Sequence, residues 1–315
     1  MYCYFRTNVT KTSGLGNYKR CLRLAENLHR KGHDCTIFTD NKLKKNLFNN
    51  KQIKHKQNYH KKNIKFSELK DAKNFLKNSD IPGFVFVDDT RIGIPWQKKI
   101  KNFHKKLIVI TDVTKKNVAD ILINTKPDYL NPSIIEKEKI KNKEKKLLLG
   151  PRYAILEKKI KNKVKKNNIF KIVFYFGGSG DLTYASKIIK EFVFSKIFFK
   201  YKIFVIIGPN SKNYKSLIPL QKKIKSKLNL IYSPNNFSKL LKNFDLYIGS
   251  AGVSMFETSL YKIPSILFKT SFDQEVDISC LEKIGHYFLM EKNDLRRTKK
   301  ICKIINIFFE NKKRI

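Results

Sequence analysis

The chain lacks several features, and each absence excludes a class of protein. No apolar run reaches the roughly 18 residues that a membrane-spanning helix needs. The N-terminus, Met1-Tyr2-Cys3-Tyr4-Phe5-Arg6, has no basic region leading into an apolar stretch, so no secretory signal is visible and a cytoplasmic location is expected. Cysteine is sparse and scattered: Cys3, Cys21, Cys35, Cys280 and Cys302 show no C-x-x-C spacing. They read as buried thiols in a reducing compartment, not as a zinc site or a disulfide frame. No group of residues has metal-ligand spacing, so neither a metal nor another cofactor is expected, and no short-period repeat occurs. His29, His33, His55, His60, His104 and His286 stand in no supporting motif.

Acidic residues are also few, 26 against 67 lysines and arginines, which gives a formal charge of +41. Such a surface gathers phosphate. Yet only nine of the basic residues are arginines, and the lysines spread over segments 42–65, 137–146 and 158–166 without interleaved aromatics. Specific nucleic-acid readout favours the planar arginine fork and stacked rings. No specific nucleic-acid partner is expected; a weak attraction to anionic membrane surfaces fits the charge better. Oligomeric state is not legible.

What is present is alternation. Short apolar runs at 2–6, 35–38, 83–87, 107–111 and 121–123 read as strands, with helical patterns at 19–31, 66–78 and 96–103. A polar, charged stretch follows, and the pattern restarts with runs at 170–176, 202–207, 229–231, 246–248 and 263–268, again with helices between, and closes on a helix over about 295–309. This predicts an α/β chain of two Rossmann-like domains with parallel sheets facing across a cleft, residues 1–150 and 169–295, followed by a C-terminal helix in 296–315.

Three segments carry candidate chemistry. Ser13-Gly14-Leu15-Gly16-Asn17-Tyr18-Lys19-Arg20-Cys21 joins a strand to a helix start, a seat where free backbone N–H groups converge on a ligand, with Asn17 at its mouth. Gly177-Gly178-Ser179-Gly180 follows a buried strand, and Gly208-Pro209-Asn210 lies on the same rim. Ser250-Ala251-Gly252-Val253-Ser254 ends another strand in small residues before a helix, a pattern suited to a diphosphate. Glu257, on the first turns of that helix, is placed to accept hydrogen bonds from ribose hydroxyls, or else stabilises the helix dipole from the surface. Asp273-Gln274 is suited to contact a sugar or base, or Asp273 caps a helix.

Gly14-x-Gly16-x-x-x-Arg20-Cys21-Leu22-x-Leu24-Ala25 resembles the N-terminal signature of the UDP-sugar hydrolases of pseudaminic acid biosynthesis, which release UDP from UDP-2,4-diacetamido-2,4,6-trideoxy-β-L-altropyranose. The similarity continues through Val85-Phe86-Val87-Asp88, Trp96, Ile108-Val109-Ile110-Thr111-Asp112, Ala119 to Asn124, Leu149-Gly150-Pro151-Arg152-Tyr153, Phe176 to Ser179, and Gly249 to Glu257. The second half of the pattern is shared with MurG-like glycosyltransferases of GT-B fold. The resemblance implies a GT-B-like fold and a UDP-sugar substrate. It implies a sugar side formed by Arg6, Gly14, Gly16, Asn17 and Arg20, with UDP held by Gly177, Gly178, Ser179, Gly208, the 250–254 turn, Glu257, Asp273 and Gln274.

Three departures fall in the sugar side. Asn17 stands where the family has its histidine base, Arg6-Thr7-Asn8 where it has Arg-x-Asp, and Asp88-Asp89-Thr90 where it has Asp-x-Tyr. An amide does not take a proton from water near neutral pH, so Asp88, Asp89 or Asp112 is the alternative source of a base, unless these aspartates only bracket strand-end loops. A transferase that uses an acceptor in place of water, and a sugar-nucleotide binder without turnover, both remain open.

Overall fold

The computed structural model divides the chain into two compact units, Met1–Leu156 and Glu157–Ile315. It describes all residues except 10–14, 41–51, 59–65, 113–114, 143–144, 158–168, 195–199, 235–236, 271–286 and 312–315.

The first unit is a seven-stranded, all-parallel sheet of β1 (Tyr2–Thr7), β2 (Asp34–Thr39), β3 (Lys54–Gln57), β4 (Phe84–Asp88), β5 (Lys106–Thr111), β6 (Ile121–Asn124) and β7 (Lys146–Leu149), in the order β3-β2-β1-β4-β5-β6-β7. Helices α1 (Gly16–His29), α2 (Glu68–Lys77), α3 (Ile94–Lys101) and α4 (Pro132–Lys141) lie between the strands in sequence. Alternation along β1 sends Cys3 and Phe5 to one face, where Tyr18, Cys21 and Ala25 of α1 close over them. Tyr4 goes to the other face, into a core with Phe75 of α2 and Trp96 of α3. A strand covered on both faces is apolar over most of its length, which is why β1, β4 and β5 are plain in the sequence. The edge strand β3, Lys-His-Lys-Gln, has no such covering and no apolar run.

The second unit repeats the plan with six parallel strands: β8 (Phe170–Tyr175), β9 (Tyr201–Ile207), β10 (Leu228–Tyr232), β11 (Leu246–Ser250), β12 (Ser265–Phe268) and β13 (Tyr287–Met290), in the order β10-β9-β8-β11-β12-β13. Its helices are α5 (Thr183–Val193), α6 (Ile218–Ile224), α7 (Phe237–Leu241), α8 (Ser254–Leu260) and α9 (Thr298–Glu310). The C-terminal helix α9 belongs to this unit's core: Ile301, Cys302, Ile304 and Ile305 pack with Ile188, Ile189 and Phe192 of α5. Phe309 meets the rings of Phe170 and Tyr201 at 5.7 and 4.9 Å.

Each sheet reverses its strand order once, at β1–β4 in the first unit and at β8–β11 in the second. In open parallel sheets a ligand crevice lies outside the strand C-termini at such a reversal.

Candidate functional site

In the first unit the reversal brings the tips of β1, β4 and β5 beside the start of α1. Arg20, one turn into α1, is buried and faces these tips. Its Nε and Nη2 donate to the two carboxylate oxygens of Asp88, each at 2.9 Å, and its Nη1 donates to Oδ2 of Asp112 at 2.5 Å. Asn17, one turn earlier, accepts from Nη2 of Arg20 at 3.2 Å and donates to the Asp88 carbonyl at 3.4 Å. The Thr125 hydroxyl donates to the other oxygen of Asp112 at 3.1 Å. Asn17, Arg20, Asp88 and Asp112 therefore form one cluster. Asp88 is sealed, whereas the Asp112 side chain is 36% exposed.

One guanidinium here serves two carboxylates. Burial pushes the Asp88 carboxyl up to about 6; Arg20 opposes the shift, and the nearby Asp112 and Asp89 add to it. Burial works against the charge on Arg20, but Asp112 and Asp88 outweigh it and hold its pKa above the ordinary arginine value.

Arg6, expected on the sugar side, lies beneath it with no exposure. Its Nε and Nη2 clamp the Asp71 carboxylate at 2.6–3.2 Å, Nη2 also donates to Asp40, and Nη1 donates to the Thr7 carbonyl at 2.6 Å. Asp89 lies 3.8 Å from Nη1, and Arg91 joins Asp89 to Asp40 at 2.6 and 2.7 Å. Trp96 donates its indole N–H to Asp71 at 2.7 Å. This second network holds Asp89, the neighbour of Asp88. Asp40, Asp71, Arg91 and Thr125 had no place in the sequence-based site. Asp71 carries a signal that finds it: an acid beside Ala72 on the buried face of an amphipathic helix. Asp40, directly after a buried strand, carries a weaker one.

Gly16 is the first residue of α1, and Leu15 at the cap position makes no side-chain cap bond. Gly14, Asp273 and Gln274 lie outside the described residues. Among the histidines, His104 is structural: Gly83 N–H donates to its Nδ1 and Ser79 meets its Nε2, both at 3.2 Å, and burial lowers its pKa to about 4.

In the second unit the reversal collects small residues. The loop after β8 is zipped to the loop after β9: Asn210 N–H donates to Gly178 O and Lys212 N–H to Gly180 O, both at 2.9 Å. Gly208 is required by this approach, since a Cβ there would stand 2.6 Å from the Gly178 backbone. Next to β8, a Cβ on Gly249 of β11 would stand 1.8 Å from the Tyr175 carbonyl oxygen. That carbonyl accepts from the Tyr247 hydroxyl at 2.9 Å, and Tyr247 in turn takes the Ser254 hydroxyl at 2.9 Å. Ser254 is thus spent on orienting the turn.

Ala251, expected as a backbone donor, gives its N–H to Phe268 O at 2.9 Å. Gly252, Val253 and Ser254 N–H make no backbone hydrogen bond among the described residues. Gly177, Gly178 and Ser179 line the neighbouring tip, half-buried. Glu257 is buried, not a surface helix residue, and its charge adds to the burial that raises the Tyr175 and Tyr247 pKa values.

With two Rossmann-like α/β domains of parallel strands, the chain has the GT-B fold. MurG of Acinetobacter baumannii matches with a TM-score of 0.64 at 14% identity, covering 98% of this chain and 92% of that one. TcCGT1, solved in complex with UDP, matches with a TM-score of 0.67 at 9% identity, covering 96% and 89%. At these identities the likeness is one of fold. The uncharacterized protein MJ1062 of Methanocaldococcus jannaschii is 27% identical over 300 residues, 89% of this chain and 58% of that protein. The chain therefore spans little more than half of that relative's length. No family model matches the chain.

Proposed function

We propose that the chain is a sugar-nucleotide enzyme, a UDP-sugar hydrolase that releases UDP from a UDP-2,4-diacetamido-2,4,6-trideoxyhexose in nonulosonic (pseudaminic) acid synthesis. The observation that carries the reading is the Asn17–Arg20–Asp88–Asp112 cluster at the β1–β4 reversal. The fold likeness to a protein solved with UDP, TcCGT1, supports the choice of nucleotide.

In this reading water attacks the sugar C1, the C1–O bond to the diphosphate breaks, and UDP leaves with the bond's electron pair. The water's proton passes to Asp112, the carboxylate that solvent reaches. Asp88 has both oxygens on Arg20 and acts by holding that guanidinium in place. A carboxylate base contributes roughly 10²–10⁴-fold. UDP sits on the second unit's Gly177–Ser179 tip and on the free N–H groups of Gly252, Val253 and Ser254, where preorganised donors stabilise the leaving charge.

One observation favours a second reading. The residue at the mouth of the α1 seat is an amide in place of the resembling family's histidine, so a transferase that uses an acceptor hydroxyl in place of water is the nearest alternative.

Incubation with UDP-sugars separates the readings by their products. Free sugar plus UDP without an acceptor supports hydrolysis; UDP released only with an acceptor supports transfer; binding without turnover leaves a silent binder. Asn17→His restores the base found in the resembling family and is expected to raise hydrolysis.

A further inference from the structure

Away from both strand reversals, the second unit carries a surface that neither the fold nor the proposed reaction uses. Lys187, Lys190 and Phe194 recur on one exposed stripe running off the end of α5. Across from them α6 exposes Ile218, Pro219, Lys222 and Lys223, with Lys225 just beyond it. The Lys223 ammonium of α6 stands 5.5 Å above the ring of Phe194, the residue just past α5. Phe194 is nonetheless 79% exposed, the most exposed large apolar side chain among the described residues, and Ile218 is 37% exposed. The one carboxylate of α5 and α6 is Glu191, half-buried, and these lysines form no salt bridge among the described residues.

We propose that this patch is a docking surface for an anionic lipid bilayer. Lysines attract lipid phosphates without needing a fixed geometry, and each contributes near a charged membrane surface. Phe194 supplies an apolar group that the interface buries, while the lysine stems lie along it with their ammonium groups in the headgroup layer. Nucleic acid is the weaker fit. The patch holds no arginine fork for phosphate or base edges, and its single exposed ring gives no platform for successive bases.

The test is co-sedimentation of the full chain with vesicles of phosphatidylcholine alone or mixed with phosphatidylglycerol. Binding is expected only to the mixed vesicles and is expected to weaken with salt. The double variant Lys222→Glu/Lys223→Glu should bind at least tenfold more weakly, and Phe194→Ser should weaken binding severalfold. The control Lys98→Glu/Lys99→Glu, the same charge change on the exposed side of α3, should bind like the wild type. Equal loss in the control, no preference for anionic vesicles, or patch-dependent binding to RNA without vesicle binding would overturn the proposal. Thermal melting of each variant confirms that the fold is retained. None of these outcomes depends on whether UDP-sugars are cleaved.

Discussion

Around the β1–β4 reversal of the first unit stand five carboxylates, Asp40, Asp71, Asp88, Asp89 and Asp112, and three guanidiniums, Arg6, Arg20 and Arg91. At the β8–β11 reversal of the second unit stand Gly177, Gly178, Ser250, Ala251 and Gly252, with their backbone groups. The topology is the same and the furnishing is opposite. Buried charges must be paired, so the first site is a cross-linked lattice in which each arginine serves more than one acid. The second site excludes side chains, which leaves backbone N–H groups open to an anion. In the proposed reaction the first takes the sugar and the second the diphosphate.

The largest break in this comparison comes from Arg20→Ala. It strands Asp88 and Asp112 without their shared cation, and a broken buried pair costs about 3–5 kcal/mol. Chemical denaturation should show that loss, and turnover should fall below detection while UDP binding to the second unit persists. Gly249→Ala reverses the pattern. The new Cβ must displace the Tyr175 carbonyl, at about 1–3 kcal/mol, and calorimetry should show weakened UDP binding.

A smaller effect appears on titration. Asp88 is expected to impose a rise in turnover centred near pH 6, as it ionises and fixes Arg20. Its raised pKa also makes its contribution to stability complete below about pH 4 and lost as pH rises through about 6. Asp40 runs the other way. Although burial opposes its charge, Arg91 and Arg6 hold its carboxyl below the usual range, so its contribution disappears only as pH falls into acid. Asp88→Asn mimics the protonated carboxyl, so across pH 4–7 the melting temperature of the wild type should fall relative to that of the variant as pH rises. The smallest change is Thr125→Val, which frees one Asp112 oxygen. It should lower kcat by about tenfold or less, with stability changed by about 1.5 kcal/mol at most, and Thr125→Ser should restore the rate.

More of the fold than of the candidate site is legible in the sequence. Strands largely buried on both faces, such as β1, β4, β8 and β9, carry mostly apolar runs with at most one charged residue each and stand out. The edge strand β3 does not, because its Lys-His-Lys-Gln run faces solvent. The polar stretch after β6 hides α4, none of whose residues is buried, so its period of 3.6 residues carries no apolar stripe. The clustering of Asn17, Arg20, Asp88 and Asp112 was legible because they sit at strand tips and a helix start. Arg6 was expected on the sugar side, but its burial was not legible: its partners Asp71 and Asp40 lie 65 and 34 residues away, and only tertiary packing brings them together. Ala251 was expected as a backbone donor to a ligand, yet the strand pairing at the end of β11 and β12 consumes its N–H, which no local pattern reveals.

The most direct measurement is product analysis of the wild-type chain with UDP-2,4-diacetamido-2,4,6-trideoxyhexose and no acceptor. Equal amounts of UDP and free sugar are expected, with the rate reduced at least a hundredfold in Asp112→Asn. Absence of UDP release from the wild type, or release that requires an added acceptor, would contradict the proposed hydrolysis.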